Sequence, residues 1–177
     1  MTSHALVAVT VVGTDQPGIV AGVTKTLYDV GCNLEDASSA ILRGHFTMTL
    51  IVGTPGEMTA ETLEYLMQPV AAQHALVVTV RDVEEVHVRP IEPTHMVSVY
   101  GADKPGIVFR VADALAGLGA NITDLTSRVI EGGDAPVYAL MMEVAVTDPD
   151  AANSALEHLR SELGLEVSVS ALDTSVL

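Results

Sequence analysis

The chain has 177 residues, 49% of them apolar and 18% charged, a composition that suits one large or two small globular domains. Eight Lys and Arg stand against 23 Asp and Glu, and the resulting net charge of −15 repels nucleic-acid phosphates and gains nothing at an anionic membrane. Cys32 is the only cysteine, so no intrachain disulfide can form, in keeping with a reducing cytoplasm.

The apolar start "ALVAVTVV" lacks a basic flank and is too short for a signal core or a membrane span, so it reads as a buried strand. It leads into "VVGTDQPGIV", residues 11–20. A helix follows, with Ile19, Val23, Leu27 and Val30 on one face at the helical period. Pro17 suits its first turn, and Gly31 stands where a left-handed residue ends a helix. A strand from Asn33 to Leu42, the turn Arg43-Gly44 and the strand "HFTMTLIV" make a hairpin. A second helix carries Leu63, Leu66, Met67 and Val70, with Pro69 expected to bend or end it. "ALVVTVRDV" closes the unit as a strand, and "HVRPIEPT", residues 87–94, reads as a linker.

The same order then returns. "VYGADKPGIV", residues 99–108, repeats the first turn at a constant offset of 88, and 13 of the 32 positions in 10–41 and 98–129 are identical without a gap. Chance gives about two at average residue frequencies. Ile107, Val111, Leu115 and Leu118 form the helix face, Gly119 its end, and Asn121 opens the next strand. The wider turn "EGGDAP" precedes "VYALMMEVAV", whose neighbours Met141 and Met142 face opposite sides. A helix from Asp148-Pro149 buries Ala152, Leu156, Leu159 and Leu163, and "LEVSVSALD" is the last strand. Strand-helix-strand-strand-helix-strand, twice, is a ferredoxin-like βαββαβ arrangement of the α+β class. Each unit has an antiparallel four-stranded sheet with helices on one face. The expected domains are 1–86 and 95–177, joined by 87–94.

The repeated turn has two readings. Its glycines could serve only backbone freedom, with Asp15 as a capping residue. Alternatively, the free amides at Gly18-Ile19 and Gly106-Ile107, at the positive helix pole, could receive a carboxylate. Asn33 and Asn121 would return towards the same end of the fold, offering an amide to an amino acid. Lys104 replaces Gln16, and Phe109-Arg110 replace Ala21-Gly22. The added charge makes the second turn the expected better carboxylate site.

The turns "GTDQPGIV" and "GADKPGIV", the returns "GCNLED" and "GANITD" and the βαββαβ order resemble ACT domains, small-molecule regulatory modules often binding amino acids. A stand-alone tandem pair of this length is similar to the glycine cleavage system transcriptional repressor group. The resemblance implies a ligand site at an interface between modules, built from the first loop and the Asn-bearing second strand. The matching positions are Gly13, Asp15, Gln16, Pro17, Gly18, Ile19 and Asn33, then Gly101, Asp103, Lys104, Pro105, Gly106, Ile107 and Asn121. It implies a cytoplasmic, non-catalytic sensor of glycine- or serine-class amino acids, without cofactor. Its partner would be a transcription activator or an enzyme, in control of glycine and one-carbon metabolism. A trans-acting subunit of an amino-acid-metabolism enzyme, or an assembly module without ligand, are the alternatives.

No catalytic or metal site emerges. The six histidines never pair at ligand spacing, Glu84, Glu85 and His87 read as a solvated strand end, and Cys32 stands where the other copy has Ala120. No Gly-x-Ser-x-Gly, P-loop or Rossmann fingerprint is present. Exposed sheet edges and a first strand apolar on both faces imply a homodimer or larger assembly.

Overall fold

A computed structural model describes residues 5–84, 91–131 and 136–172. The chain divides into two compact units, residues 1–87 and 88–177. In the first, the order is β1 (Ala5–Thr14), α1 (Ile19–Asp29), β2 (Asn33–Leu42), β3 (His45–Thr54), α2 (Ala60–His74) and β4 (Val77–Val83). The second runs β5 (His95–Gly101), α3 (Ile107–Gly117), β6 (Asn121–Ile130), β7 (Val137–Ala145), α4 (Pro149–Leu163) and β8 (Glu166–Ala171). The two sheets have the orders β2-β3-β1-β4 and β6-β7-β5-β8, with every paired strand antiparallel to its neighbour. This is the α+β, βαββαβ architecture twice over.

Alternation decides which face is covered. Val7, Val9 and Val11 of β1 are fully buried, joined by Met48, Leu50 and Val52 of β3 and by Val23, Leu27, Leu63 and Met67 of the helices. The alternate residues Leu6, Ala8 and Thr10 are half-buried and Val12 is exposed, so only one face of this sheet carries helices. The second core repeats the scheme with Val97, Val99, Val111, Leu115, Leu140, Met142 and Leu156. Met142 is buried and its neighbour Met141 exposed, as alternation requires.

The turns follow local chemistry. Arg43 and Gly44 both have positive φ, the backbone of a two-residue hairpin that matches strand twist. Gly31 and Gly119 end α1 and α3 in the left-handed region, with the Cys32 and Ala120 amides donating back to the Leu27 and Leu115 carbonyls. The α2 N-terminus is capped by Thr59 Oγ1, which accepts from the Thr62 amide at 3.2 Å. Asp148 Oδ1 caps α4, accepting from the Ala151 amide at 2.9 Å.

Three expectations are corrected. Pro69 does not end α2, which continues to His74. Only its own N–H donor is lost, and burial of Val70, Ala71 and His74 beyond it carries the helix onward. Pro17 and Pro105 lie outside the helices, because Gly18 and Gly106 are the cap residues. Val30 and Leu118 are C-cap residues just past the helices; Val30 still packs against the first core, whereas Leu118 is exposed. The positions Glu85 and His87 and most of the "EGGDAP" turn lie outside the described residues.

Gly13 is fixed by crowding. A Cβ there would fall 2.6 Å from Leu76 Cδ2 and 3.3 Å from the Ala75 carbonyl oxygen. We expect Gly13→Ala to destabilise the fold by about 1–3 kcal/mol through overpacking, read as a lower urea midpoint at unchanged slope. An unchanged midpoint would mean that the α2–β4 junction yields freely.

Candidate functional site

The two repeated turns are built alike. β1 reaches Thr14, the chain turns through Asp15, Gln16 and Pro17, and α1 starts after Gly18 at φ 96°. Its counterpart turns through Asp103, Lys104 and Pro105 to Gly106 at φ 89°. Only glycine takes such a conformation without strain. Ile19 and Ile107 are buried and pin the first helical turns to their cores. Asp15 is tied to the hairpin tip, its amide donating to the Gly44 carbonyl at 2.9 Å. Neither aspartate acts as a helix cap, and the capping role anticipated for Asp15 is not filled.

The fourth residue of each turn reaches across to the end of the second helix. Gln16 Nε2 donates to the His74 carbonyl at 2.9 Å, and Lys104 Nζ donates to the Leu163 carbonyl at 2.8 Å. His74 and Leu163 are equivalent, each preceding a left-handed C-cap, Ala75 or Gly164. The bond also places a donor on a carbonyl at a helix C-terminus, where donors and positive charge are favoured. Lys104 is therefore engaged at the C-terminal pole of α4, which weakens its expected role as an extra charge beside the α3 amides. Gly101 is crowded like Gly13, since a Cβ there would come within 2.5 Å of Leu165 Cδ2.

What remains open is the helix pole itself. α1 and α3 have no side-chain cap and no acidic residue in the first turn. α2 and α4 have both: Thr59 with Glu61, and Asp148 with Asp150. The first helical hydrogen bonds are Gly22 N–H to Gly18 O and Arg110 N–H to Gly106 O, so the amides before them have no intrahelical partner. Such a pole favours an anion.

The asparagines are elsewhere. Gly13 is level with Phe46 and Ile41, whereas Asn33 is level with Gly53 and Leu6. Seven residues of β1 separate the two levels, about 23 Å at the rise of a strand. Gly101 pairs with Tyr138, and Asn121 pairs with Ala145 at the opposite end of β7. Within one unit the turn and the asparagine do not meet, and the expectation that they share an end is overturned. The helix between two parallel strands must run back along the sheet, so β2 begins where β1 begins. Asn33 Nδ2 donates to Glu35 Oε1 at 2.8 Å and remains exposed.

Two further features lay outside the sequence reading. All ten residues of β2, an edge strand, are exposed, including Leu34, Ile41 and Leu42. At the other edge, Glu64 Oε2 accepts from the Val80 amide at 2.8 Å, so α2 satisfies a donor that β4 would otherwise present outward. A groove beside that contact is lined by Glu61, Glu64, Tyr65, Gln68 and Val80. It lies towards the opposite end of α2 from the Gln16–His74 bond. Among the described residues no group of three or more metal-ligating side chains occurs, and no helix is long and apolar enough to cross a membrane.

Residues 5–81 match a family model described as the ACT domain, and residues 95–164 match a second model of the same description. The chain is 28% identical over 181 residues to the glycine cleavage system transcriptional repressor of Escherichia coli, covering 99% of this chain and 94% of that protein. It is 30% identical over 150 residues to the phosphoserine phosphatase SerB2 of Mycobacterium tuberculosis, covering 82% of this chain but 35% of that enzyme. In fold it is similar to an unknown protein from Galdieria sulphuraria, with TM-score 0.80 and 24% identity over 97% of this chain and all of that one.

Cys32 packs against the first core beside Met58, and burial pushes its thiol up from the usual range. The thiolate is the reactive form, so a raised pKa means less of it at neutral pH. Cys32 is expected to react with iodoacetamide at pH 7.5 several-fold more slowly than free cysteine, converging only under denaturant. Equal rates in the folded protein would contradict its burial.

Proposed function

We propose, since the chain belongs to the ACT-domain family and carries the domain in two tandem copies, that it is a non-catalytic regulatory protein sensing a small amino acid of the glycine or serine class. The observation that carries this reading is the pair of uncapped helix poles behind the repeated turns, where amide donors face outward beside a glycine. The ligand-contacting positions in this reading are Gly13 to Ile19 and Gly101 to Ile107 in the turns, with Asn33 and Asn121 contributing from strand starts. Turn and asparagine stand at opposite ends of each unit.

The output passes through a protein partner. With a net charge of −15, direct contact with nucleic acid is disfavoured, so transcriptional control would run through an activator protein. Full-length similarity to a glycine cleavage system repressor supports glycine and one-carbon metabolism as the setting, in the cytoplasm. A second reading, a trans-acting subunit of an amino-acid-metabolism enzyme, is favoured by the similarity to part of a phosphoserine phosphatase. Self-association into a dimer or larger assembly would cover the exposed edge strand β2. A bound amino acid must favour one assembly or partner state over another, or it regulates nothing.

Calorimetry with the free amino acids tests the reading. A ligand of five to seven heavy atoms has little interaction free energy to offer after ordering costs, so the dissociation constant is expected at about 10 μM to 1 mM. Absence of binding by all twenty amino acids would reject the sensor reading and leave an assembly module. A nanomolar constant would reject the affinity argument.

A further inference from the structure

The first sheet has a bare face. Helices cover the side that carries Val7, Val9, Leu50 and Val52, and the alternate residues point the other way. From the two central strands that other side receives Leu6, Ala8, Thr10, Thr47, Thr49 and Ile51, none of them charged. The paired residues Val12 and Val77 continue it and are 40% and 66% exposed. In a chain with a net charge of −15, such a surface is where a second acidic molecule approaches at least electrostatic cost.

One row across this face ends in opposite charges. Asp36 of β2 pairs with Ile51, Ile51 with Ala8, and Ala8 with Arg81 of β4. Paired residues share a face, so Asp36 and Arg81 mark its two edges at one level, three strand spacings or about 14 Å apart. Both are exposed, and among the described residues neither forms an ion pair. A two-fold axis between two such faces, parallel to the strands, lays β2 of one copy over β4 of the other. It sets Asp36 against the partner's Arg81, and Arg81 against the partner's Asp36. An axis across the strands at that level would set like charges together.

The second sheet does not offer the same surface. Its central strand β7 places Glu143, level with Met96, on the corresponding face, half-buried and with no ion pair among the described residues. Stacking there would bury a lone carboxylate.

We propose that the bare face of the first sheet is a self-recognition surface. Two copies of the chain stack their first sheets face to face, about 10 Å apart, with two Asp36–Arg81 ion pairs closing the edges. The proposal rests on the self-association reading above and adds the surface, the symmetry and the paired residues. At the usual strand spacing and rise the face measures about 19 Å by 25 Å, roughly 1,000 Å² over both copies, which is the low end for a specific interface. The dimer is therefore expected to be weak and concentration-dependent rather than obligate.

Sedimentation equilibrium of the full chain at physiological salt tests this, with circular dichroism to check each variant's fold. Arg81→Glu and Asp36→Arg each set like charges opposite one another at both edges, so each is expected to weaken dimerisation about ten-fold or more. The double variant exchanges the pair at unchanged net charge and is expected to restore dimerisation to within about three-fold. Met141→Arg, on the bare face of the second sheet, is expected to leave the dimer intact. A dimer indifferent to Arg81→Glu, as pairing through the β2 edge would be, overturns the proposal while the self-association reading stands. A double variant no better than the singles, or a dimer broken by Met141→Arg, does the same. A chain that stays monomeric at every concentration overturns both.

Discussion

The close approach of β1 to the junction between the second helix and the fourth strand sets the geometry on which the rest depends. Gly13 against Leu76, and Gly101 against Leu165, leave no room for a side chain. The chain therefore leaves β1 pressed onto the last turn of α2, and Gln16 fastens it there through the His74 carbonyl. Lys104 does the same in the second unit with a charged donor. Once that clamp is closed, the left-handed glycine follows and the helix starts with its pole outward. Burial of Ile19 and Ile107 locks the direction.

Electrostatics then divide the helices. A carboxylate or a hydroxyl shields the poles of α2 and α4, as is usual for helices that must only be stable. The poles of α1 and α3 lack both devices, despite a chain with a large surplus of acidic residues. An uncapped helix costs stability, and its occurrence twice at the same turn is consistent with a ligand supplying the missing acceptor. The two copies are not interchangeable, because a histidine ring lies 3.5 Å from where a Gly18 Cβ would sit, whereas nothing lies within 4 Å of a Cβ built on Gly106.

Much of the fold was legible in the residues. The offset of 88, the four-residue spacing of Ile19, Val23 and Leu27 and the Arg43-Gly44 turn express local physics that tertiary context did not override. Pro69 misled because its penalty is local while the burial of Val70, Ala71 and His74 is not. The role of Gly13 was hidden, since a sequence does not distinguish a glycine needed for its backbone from one needed for its smallness. The location of Asn33 was within reach: the βαβ order itself makes β1 and β2 parallel and sends the helix back to the start of the sheet. His74 also had a signal, for it continues the buried stripe Leu63, Met67, Val70.

The most direct test is where the amino acid lands on the backbone. Amide chemical shifts of the isotope-labelled chain, followed through a glycine or serine titration, report each N–H separately. The largest perturbations are predicted at Gly18 to Ala21 or at Gly106 to Phe109, at the starts of α1 and α3. Perturbations centred on the groove at Glu64 and Tyr65, or spread without relation to either turn, would contradict a carboxylate held at the helix pole.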